Sequence, residues 1–389
     1  MTDTSLSTTS FVTSATTEIV VDNFTVWDNI TTDTPPLFPP IFGPRPRPPL
    51  TLEDWLVPLV LSIVTLIGVV GNSVVIYVVF KNGKMHTVTN FYIVNLAATD
   101  ISFLIFVVPP TASTYATLNG SWIWGSFLCK FVNYMQMVTA QATCLTLTAM
   151  SVDRYQAIVH PLKSLRTRTT KLAAIISASI WTFSILVSTP MAIYRKQYTF
   201  GTISFCWENW PRHLRQILFQ GVVVYTFIVI YVIPLTIICV CYSSMLIKLW
   251  VQVVPDAVTN AQAQERQTRQ KRKITYMILV VVIVFTVCWM PFHVINLWIR
   301  VGGNYPRTKA ATSMVTFARC LAYANSCLNP FIYAFMGENF RKYFRKAFPC
   351  CYSNKVGPDV SSGEGRSVVQ ERTAGANGGR TVTENVPPA

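Results

Sequence analysis

WLVPLVLSIVTLIGVVGNSVVIYVVF, residues 55–80, runs from Trp55 to Phe80 without one Asp, Glu, Lys or Arg. A helix that crosses the hydrocarbon core of a bilayer needs about 20 mostly apolar residues. Six further stretches are mostly apolar over such a length, with a few charges at most in each: residues 88–115, 126–159, 170–194, 215–250, 270–300 and 310–336. Several exceed the minimum and are expected to tilt or project from the bilayer. The spacing predicts an all-α membrane protein, a seven-transmembrane helix bundle, with a short amphipathic cytoplasmic helix after the seventh span.

Composition agrees. Of 389 residues, 51% are hydrophobic and 13% charged, where a soluble chain carries about a quarter charged. The formal net charge of +15 raises nucleic acid as a partner. Many of the basic residues flank apolar spans, however, where membrane orientation explains them, so that partner is excluded. Residues 1–54 hold no apolar run that could serve as the core of a cleavable leader, so the first span is expected to act as the insertion signal. This tail is Ser/Thr-rich, then Pro-rich from Pro35 to Pro49, and is expected to be disordered. The triplets Asn23-Phe24-Thr25 and Asn29-Ile30-Thr31 are N-glycosylation sequons.

Lysine and arginine set the orientation. One set of connecting segments holds Lys81, Lys84, Lys163, Arg166, Arg168, Lys171, Lys248, Arg266, Arg269, Lys271, Arg272, Lys273, Arg341, Lys342, Arg345 and Lys346. The other holds only Arg45, Arg47, Arg195, Lys196, Arg212, Arg215, Arg300, Arg307 and Lys309. The richer set faces the cytoplasm, which puts the N-terminus outside a plasma membrane crossed many times. Pro58, Pro109, Pro110, Pro190, Pro234, Pro291 and Pro330 fall within the spans. Neighbouring helices or water can satisfy the carbonyls they free.

Cys129 opens the third span and Cys206 lies between the fourth and fifth. Both are on the side where disulfides persist. A bond between them would pin that loop over the bundle mouth, and the alternative is two free thiols. Asp100 sits midway along the second span, where a carboxylate costs about 3 kcal/mol or more and needs interior partners. Asn72, Thr143, Asn325, Ser326 and Asn329 lie at similar depth on other spans. Such oxygens suit a sodium ion; a protonated Asp100 in a hydrogen-bond network is the other reading. Asp153-Arg154-Tyr155 ends the third span, Phe285, Cys288, Trp289 and Pro291 mark the sixth, and Asn329-Pro330-Phe331-Ile332-Tyr333 marks the seventh. Pro291 predicts a kink with a large indole beside it. A simple interfacial anchor and ordinary core packing are the plainer accounts of these groups.

Taken together, and one per span in order, these pieces resemble the rhodopsin-like family of G-protein-coupled receptors over about residues 55–350: Gly71-Asn72, Asn95-Leu96-Ala97-Ala98-Thr99-Asp100, Cys129 with Asp153-Arg154-Tyr155, Trp181, Pro234 and Tyr242, Cys288-Trp289-Met290-Pro291, and Asn329 to Tyr333. Within the family the likeness is nearest the kisspeptin-receptor group, then the galanin receptors. It is carried by Thr87 to Tyr92, Cys129 to Tyr134, Gln141 to Cys144 and Thr148 to Arg154.

The resemblance implies a sodium ion at Asp100 as an allosteric modulator. It implies an activation switch of Asp153, Arg154, Tyr155, Tyr242, Phe285, Trp289, Pro291, Pro330 and Tyr333. An acid often found at the start of the sixth span is replaced by Lys271-Arg272-Lys273, which leaves Asp153 as the main restraint on Arg154 and implies some basal activity. An extracellular peptide is the implied ligand, a heterotrimeric G protein of the Gq class acting on phospholipase C the implied partner. A galanin- or allatostatin-like peptide with another G protein is the alternative.

Gln136 lies about five turns outward of Arg154. Receptors for biogenic amines carry an aspartate there. A glutamine instead donates to and accepts from an amide, and the resemblance implies a peptide ending in amidated Arg-Phe. His293, Asn296, Arg319 and Tyr323 occupy the outer halves of the sixth and seventh spans. Arg319 is expected to pair with Glu208, to meet a ligand oxygen, or to snorkel to the interface. After the seventh span, Phe340 to Phe348 reads as an amphipathic helix on membrane lipid. Cys350 and Cys351 are candidates for palmitoylation. Ser361, Ser362, Ser367, Thr373, Thr381 and Thr383, in a disordered tail over residues 352–389, are candidates for receptor kinases and arrestin.

An enzyme is not expected. His86, His160, His213 and His293 stand at no metal-ligand spacing, and no nucleophile–base set is present. A transporter would show internal repeats, and none stands out.

Overall fold

The computed structural model describes residues 52–117, 120–251, 261–302, 306 and 308–347. Asn23, Asn29, Cys350, Cys351 and the tail serines and threonines lie outside the described residues. Helix α1 spans Leu52–Lys81, α2 Val88–Phe106, α3 Val108–Ala116, α4 Gly125–Val159, α5 Pro161–Thr167, α6 Thr170–Ile193, α7 Arg215–Tyr225, α8 Ile233–Val251, α9 Ala261–Leu297, α10 Lys309–Met336 and α11 Glu338–Ala347. Helices α2 and α3 make one rod broken at Val107. A π-helical stretch, Thr226–Val232, joins α7 to α8, and another, Trp298–Gly302, extends α9. The result is a seven-helix bundle with two short accessory helices, α5 and α11. The sixth rod starts earlier than its apolar run, at Ala261, because the polar segment before it is also helical.

Threonine caps three of the rods where they leave the apolar layer. Thr87 accepts from the Asn90 N–H, Thr169 from Leu172 and Thr308 from Ala311, at 3.3, 3.1 and 3.2 Å, each satisfying a donor that the first turn leaves over.

Five rods are apolar and long enough on composition alone to cross a membrane. The other two, α4 and α10, carry many polar side chains, and those are turned inward. Thr139, Gln141, Thr143, Thr146 and Ser151 of α4, and Thr316, Asn325, Ser326 and Asn329 of α10, are all buried. Helix α4 packs against α2, α6, α8 and α9, so its polar residues meet protein. Helix α1, by contrast, exposes Leu56, Leu59, Ile63, Leu66, Ile67 and Val70, the face a lipid chain would cover.

Side chains of neighbouring rods reach the carbonyls at the proline breaks. Pro330 cannot bond Ser326, and the Ser326 carbonyl accepts from Asn72 Nδ2 of α1 at 2.9 Å. Pro234 leaves Ile230, whose carbonyl accepts from the Cys144 thiol of α4. Tyr231 donates to the Thr286 carbonyl at 3.0 Å and Tyr134 to the Ile185 carbonyl at 3.2 Å, each one residue before the group freed by Pro291 or Pro190. Asn95 of α2 joins two further rods, donating to Thr146 at 2.8 Å and accepting from the Trp181 indole at 2.9 Å.

Gly68 and Gly71 let α1 lie against its neighbours. A Cβ on Gly68 would stand 2.5 Å from Leu104 Cδ1 and 3.1 Å from Cys327 Cβ, and one on Gly71 3.0 Å from the Pro330 ring. Gly68→Ala is expected to cost about 1–3 kcal/mol by overpacking, seen as a lower melting temperature of the detergent-solubilised protein. Gly83→Ala, with nothing within 4 Å, is the control that should leave it unchanged.

Candidate functional site

At one end of the bundle an antiparallel hairpin, β1 Arg195–Phe200 and β2 Ile203–Glu208, lies between α6 and α7. Its turn needs the left-handed backbone of Gly201, φ +59°. Cys206 of β2 is disulfide-bonded to Cys129 of α4, as the sequence suggested. The Trp122 N–H donates to the Ser204 carbonyl at 2.7 Å, a second tie between hairpin and bundle.

Glu208 organises this end. Opposite it in register is Arg195, whose Nη2 donates to Oε1 at 2.9 Å. Arg300, on the extension of α9, donates to Oε1 at 2.9 Å and to Oε2 at 3.1 Å. The Trp210 indole donates to Oε2 at 2.7 Å. Arg300 also lies 4.4 Å over the Phe219 ring of α7. Burial pushes the Glu208 carboxyl up, but the two guanidiniums and the bonds from Arg300 and Trp210 outweigh it and hold it below the usual carboxylate range. Burial acts on Arg195 in the other sense and takes it down to about 10, against the pull of Glu208.

This corrects one expectation. Glu208 does not pair with Arg319; its oxygens are taken by Arg195, Arg300 and Trp210. Arg319 of α10 instead donates to the Tyr115 hydroxyl at 2.9 Å. The sequence clue to the hairpin cluster was available in retrospect: Glu208 is the sole acid between the fourth and fifth spans, in a loop that holds Arg195.

The remaining sequence-predicted cavity residues line α4, α9 and α10. The Gln136 side-chain amide is half-buried and makes no hydrogen bond within the described residues. His293 is buried in an aromatic cluster, its ring 4.9 Å from Tyr231, 5.8 Å from Phe292 and 5.9 Å from Trp289. Asn296 donates back to the Phe292 carbonyl of its own helix at 2.7 Å. Tyr323 is fully buried, edge-on to Phe103 at 5.0 Å.

Midway along the bundle, Asp100 is 1% exposed and accepts from Asn329 Nδ2 at 2.8 Å through one oxygen. Its other oxygen has no protein partner, and neither do the buried amide oxygens of Asn72, Asn325 and Asn329. Three rods thus contribute orphaned oxygens, one a carboxylate's, and that donor set fits a hard cation. Thr143 is buried on α4 but makes no hydrogen bond to Asp100.

At the far end, Arg154 is 6% exposed and is bound by Asp153, with Nη2 2.5 Å and Nε 3.1 Å from Oδ2. It also donates to the Thr89 hydroxyl of α2. Asp153 has a second claimant that sequence reading missed: Arg168, 2.6 Å from Oδ1 and 3.0 Å from Oδ2. Among the described residues Asp153 is the only carboxylate paired with Arg154. Tyr155 is turned away from this pair, its hydroxyl 3.4 Å from His160 Nε2. Among the described residues the buried Tyr333 hydroxyl and the Trp289 indole N–H have no hydrogen-bond partner, and the buried Tyr242 hydroxyl lies beside Ser151. Trp289 stands 6.0 Å from Phe285, just before the Pro291 break.

Comparison with known proteins agrees with this geometry. The profile of the 7 transmembrane receptor (rhodopsin family) matches residues 71–333. G-protein coupled receptor 54 of Oreochromis niloticus is 44% identical over 314 residues, covering 79% of this chain and 82% of the relative. The KiSS-1 receptor of Homo sapiens is 43% identical, covering 79% and 78%. Galanin receptor type 1 of Rattus norvegicus is 38% identical, covering 80% and 87%.

Glu208→Gln leaves two part-buried arginines without their shared counter-charge and is expected to cost about 2–3 kcal/mol. Because the folded state holds Glu208 below its ordinary value, its contribution is complete above the unfolded value of about 4.3 and is lost as pH falls through the lower folded one. Melting curves of the purified protein from pH 7 to 3 should therefore show an acid loss that Glu208→Gln blunts, with no such difference in slope between pH 6 and 7.

Proposed function

Since the chain belongs to the rhodopsin family of seven-transmembrane receptors, a family of receptors and not of enzymes, we propose that this multi-pass plasma-membrane protein is a receptor for a kisspeptin-like, C-terminally amidated neuropeptide that signals through the Gq class to phospholipase C. The observation that carries this reading is the identity of 43–44% with receptors named for KiSS-1 and with G-protein coupled receptor 54, across about four-fifths of the chain. The unpaired Gln136 amide supports it, since an amide can satisfy both halves of a terminal carboxamide. A galanin-like or allatostatin-like peptide with another G protein is the second reading, favoured by the 38% identity with a galanin receptor.

In this reading the hairpin end faces outward with the glycosylated N-tail at Asn23 and Asn29. The Arg154 end faces the G protein. The peptide occupies the cavity bounded by Gln136, His293, Asn296, Arg319 and Tyr323, under the hairpin that Glu208 fixes. It binds more tightly when α9 has pivoted at Pro291, with Trp289 as the lever, and so shifts the population toward that state. Asp153 then releases Arg154. Tyr242 and Tyr333 gain new hydrogen-bond partners as the rods move apart. G protein on the far side tightens peptide binding by the same free energy. Asp100, Asn72, Asn325 and Asn329 would hold a sodium ion in the resting state, which supplies the charge that balances the carboxylate. Cys350 and Cys351 take palmitate, and receptor kinases and arrestin act on the tail.

Two measurements test this. Nucleotide exchange on Gq in membranes holding the receptor should respond to an amidated Arg-Phe decapeptide far better than to its free acid. Gln136→Asp should raise the half-maximal concentration by roughly ten- to hundredfold, about 1.4–2.7 kcal/mol of recognition; unchanged potency removes Gln136 from the site. Sodium should weaken agonist binding to the wild type and lose that effect in Asp100→Asn.

A further inference from the structure

Among the described residues no acid balances the charge of Arg319. Its one hydrogen bond there goes to the Tyr115 hydroxyl, and no carboxylate forms an ion pair with it. A guanidinium offers five N–H donors and does not lose its proton, so this residue keeps most of its hydrogen-bonding capacity unused on the inner side of the bundle.

The acids at this end are already engaged. Glu208 is shared by Arg195, Arg300 and Trp210. Glu53 accepts from Ser313, and Asp54 has interactions of its own. Even the Glu208 cluster is short of acceptors, for the buried Arg195 Nε has none. Arg195, Arg300 and Arg319 thus stand at an end of the bundle whose acids already have partners. A ligand arginine would be repelled at Arg319, and an anion would find a planar fork suited to bidentate pairing.

We propose that Arg319 is the receptor's carboxylate-recognition residue: the natural peptide carries an acidic side chain that pairs with Arg319 when bound. This rests on the amidated-peptide reading, which assigns the peptide's C-terminus to Gln136 and so leaves a Glu or Asp side chain as the source of the carboxylate. A free C-terminal carboxylate offers the same chemistry, and the peptides below separate the two.

The test uses the full-length receptor in membranes, with surface expression matched by an epitope tag. The probes are amidated Arg-Phe decapeptides carrying one glutamate or one glutamine at each upstream position in turn, together with their free-acid forms. Glutamate should outperform glutamine by about tenfold or more at one position, the 1.4 kcal/mol of one good polar contact. Arg319→Gln should erase that preference and Arg319→Lys should retain part of it. In Arg319→Glu a lysine at the same position should become the better residue. Glutamate and glutamine equally potent at every position, or a preference that survives Arg319→Gln, overturns the proposal while leaving the amide reading intact. A glutamate preference without any need for the amide keeps Arg319 and overturns the amide reading. Peptides active only as free acids, with no glutamate preference, assign Arg319 to the C-terminal carboxylate and overturn the side-chain assignment. If no peptide of either series stimulates exchange, both fall. Melting of the ligand-free receptor gives an independent arm: Arg319→Met should match or exceed the wild type, because the uncompensated charge is gone. A fall of several degrees would make Arg319 a structural residue and overturn the proposal.

Discussion

Backbone carbonyls that lose their helical partner inside an apolar layer must find another donor, and the rest of this structure follows from how they do so. Proline breaks occur in most of the rods, and each freed carbonyl would be costly against lipid. Two of the freed carbonyls take donors from other helices, Ser326 from Asn72 and Ile230 from Cys144, and at two further breaks Tyr231 and Tyr134 bond the carbonyl one residue before the freed group. The same bonds that repair the backbone therefore fix which rods are neighbours. They also leave the rods joined at a few hinge-like places, where an exchange of partners is easier than it would be in a uniformly packed helix pair.

The two ends of the bundle solve a charge problem in parallel. At the hairpin end, Glu208 is shared by Arg195 and Arg300. At the other end, Asp153 is shared by Arg154 and Arg168. In each case one arginine belongs to the hairpin strand β1 or to the turn between α5 and α6, and the other to the extension of α9 or to α4. Sharing one acid between two cations holds each less tightly than a dedicated pair would, because the acid's lone pairs are divided. Between these ends sits Asp100, with orphaned amide oxygens on two other rods, α1 and α10. Polar groups in this protein are thus concentrated in three layers along the bundle, and the apolar surfaces of α1, α6 and α8 are left to the lipid.

Much of this was legible in the residues. The long, mostly apolar runs marked the rods to within a few residues at most ends, since hydrophobic length against bilayer thickness is a one-dimensional constraint. Asp100, Arg154 and Trp289 were recognisable because a polar or bulky group in such a run needs a reason. Cys129 and Cys206 were recognisable because topology put both on one side. Arg319 was singled out as unusual, and of the three readings open to it the pairing with Glu208 proved wrong.

That error marks the boundary between the two sources. The sequence by itself determined how many times the chain crosses, which residues are buried out of water and which of those are too polar to face lipid. Only the tertiary structure decided the partners: Glu208 with Arg195 and Arg300, Arg168 with Asp153, Asn95 with Thr146 and Trp181, and Arg319 with Tyr115 and no acid among the described residues. The physical reason is that burial of a span is set by its own composition, whereas a charge at the end of a rod takes whichever counter-charge the packing angles bring within about 3–4 Å, and those angles are fixed by contacts between helices far apart in the chain.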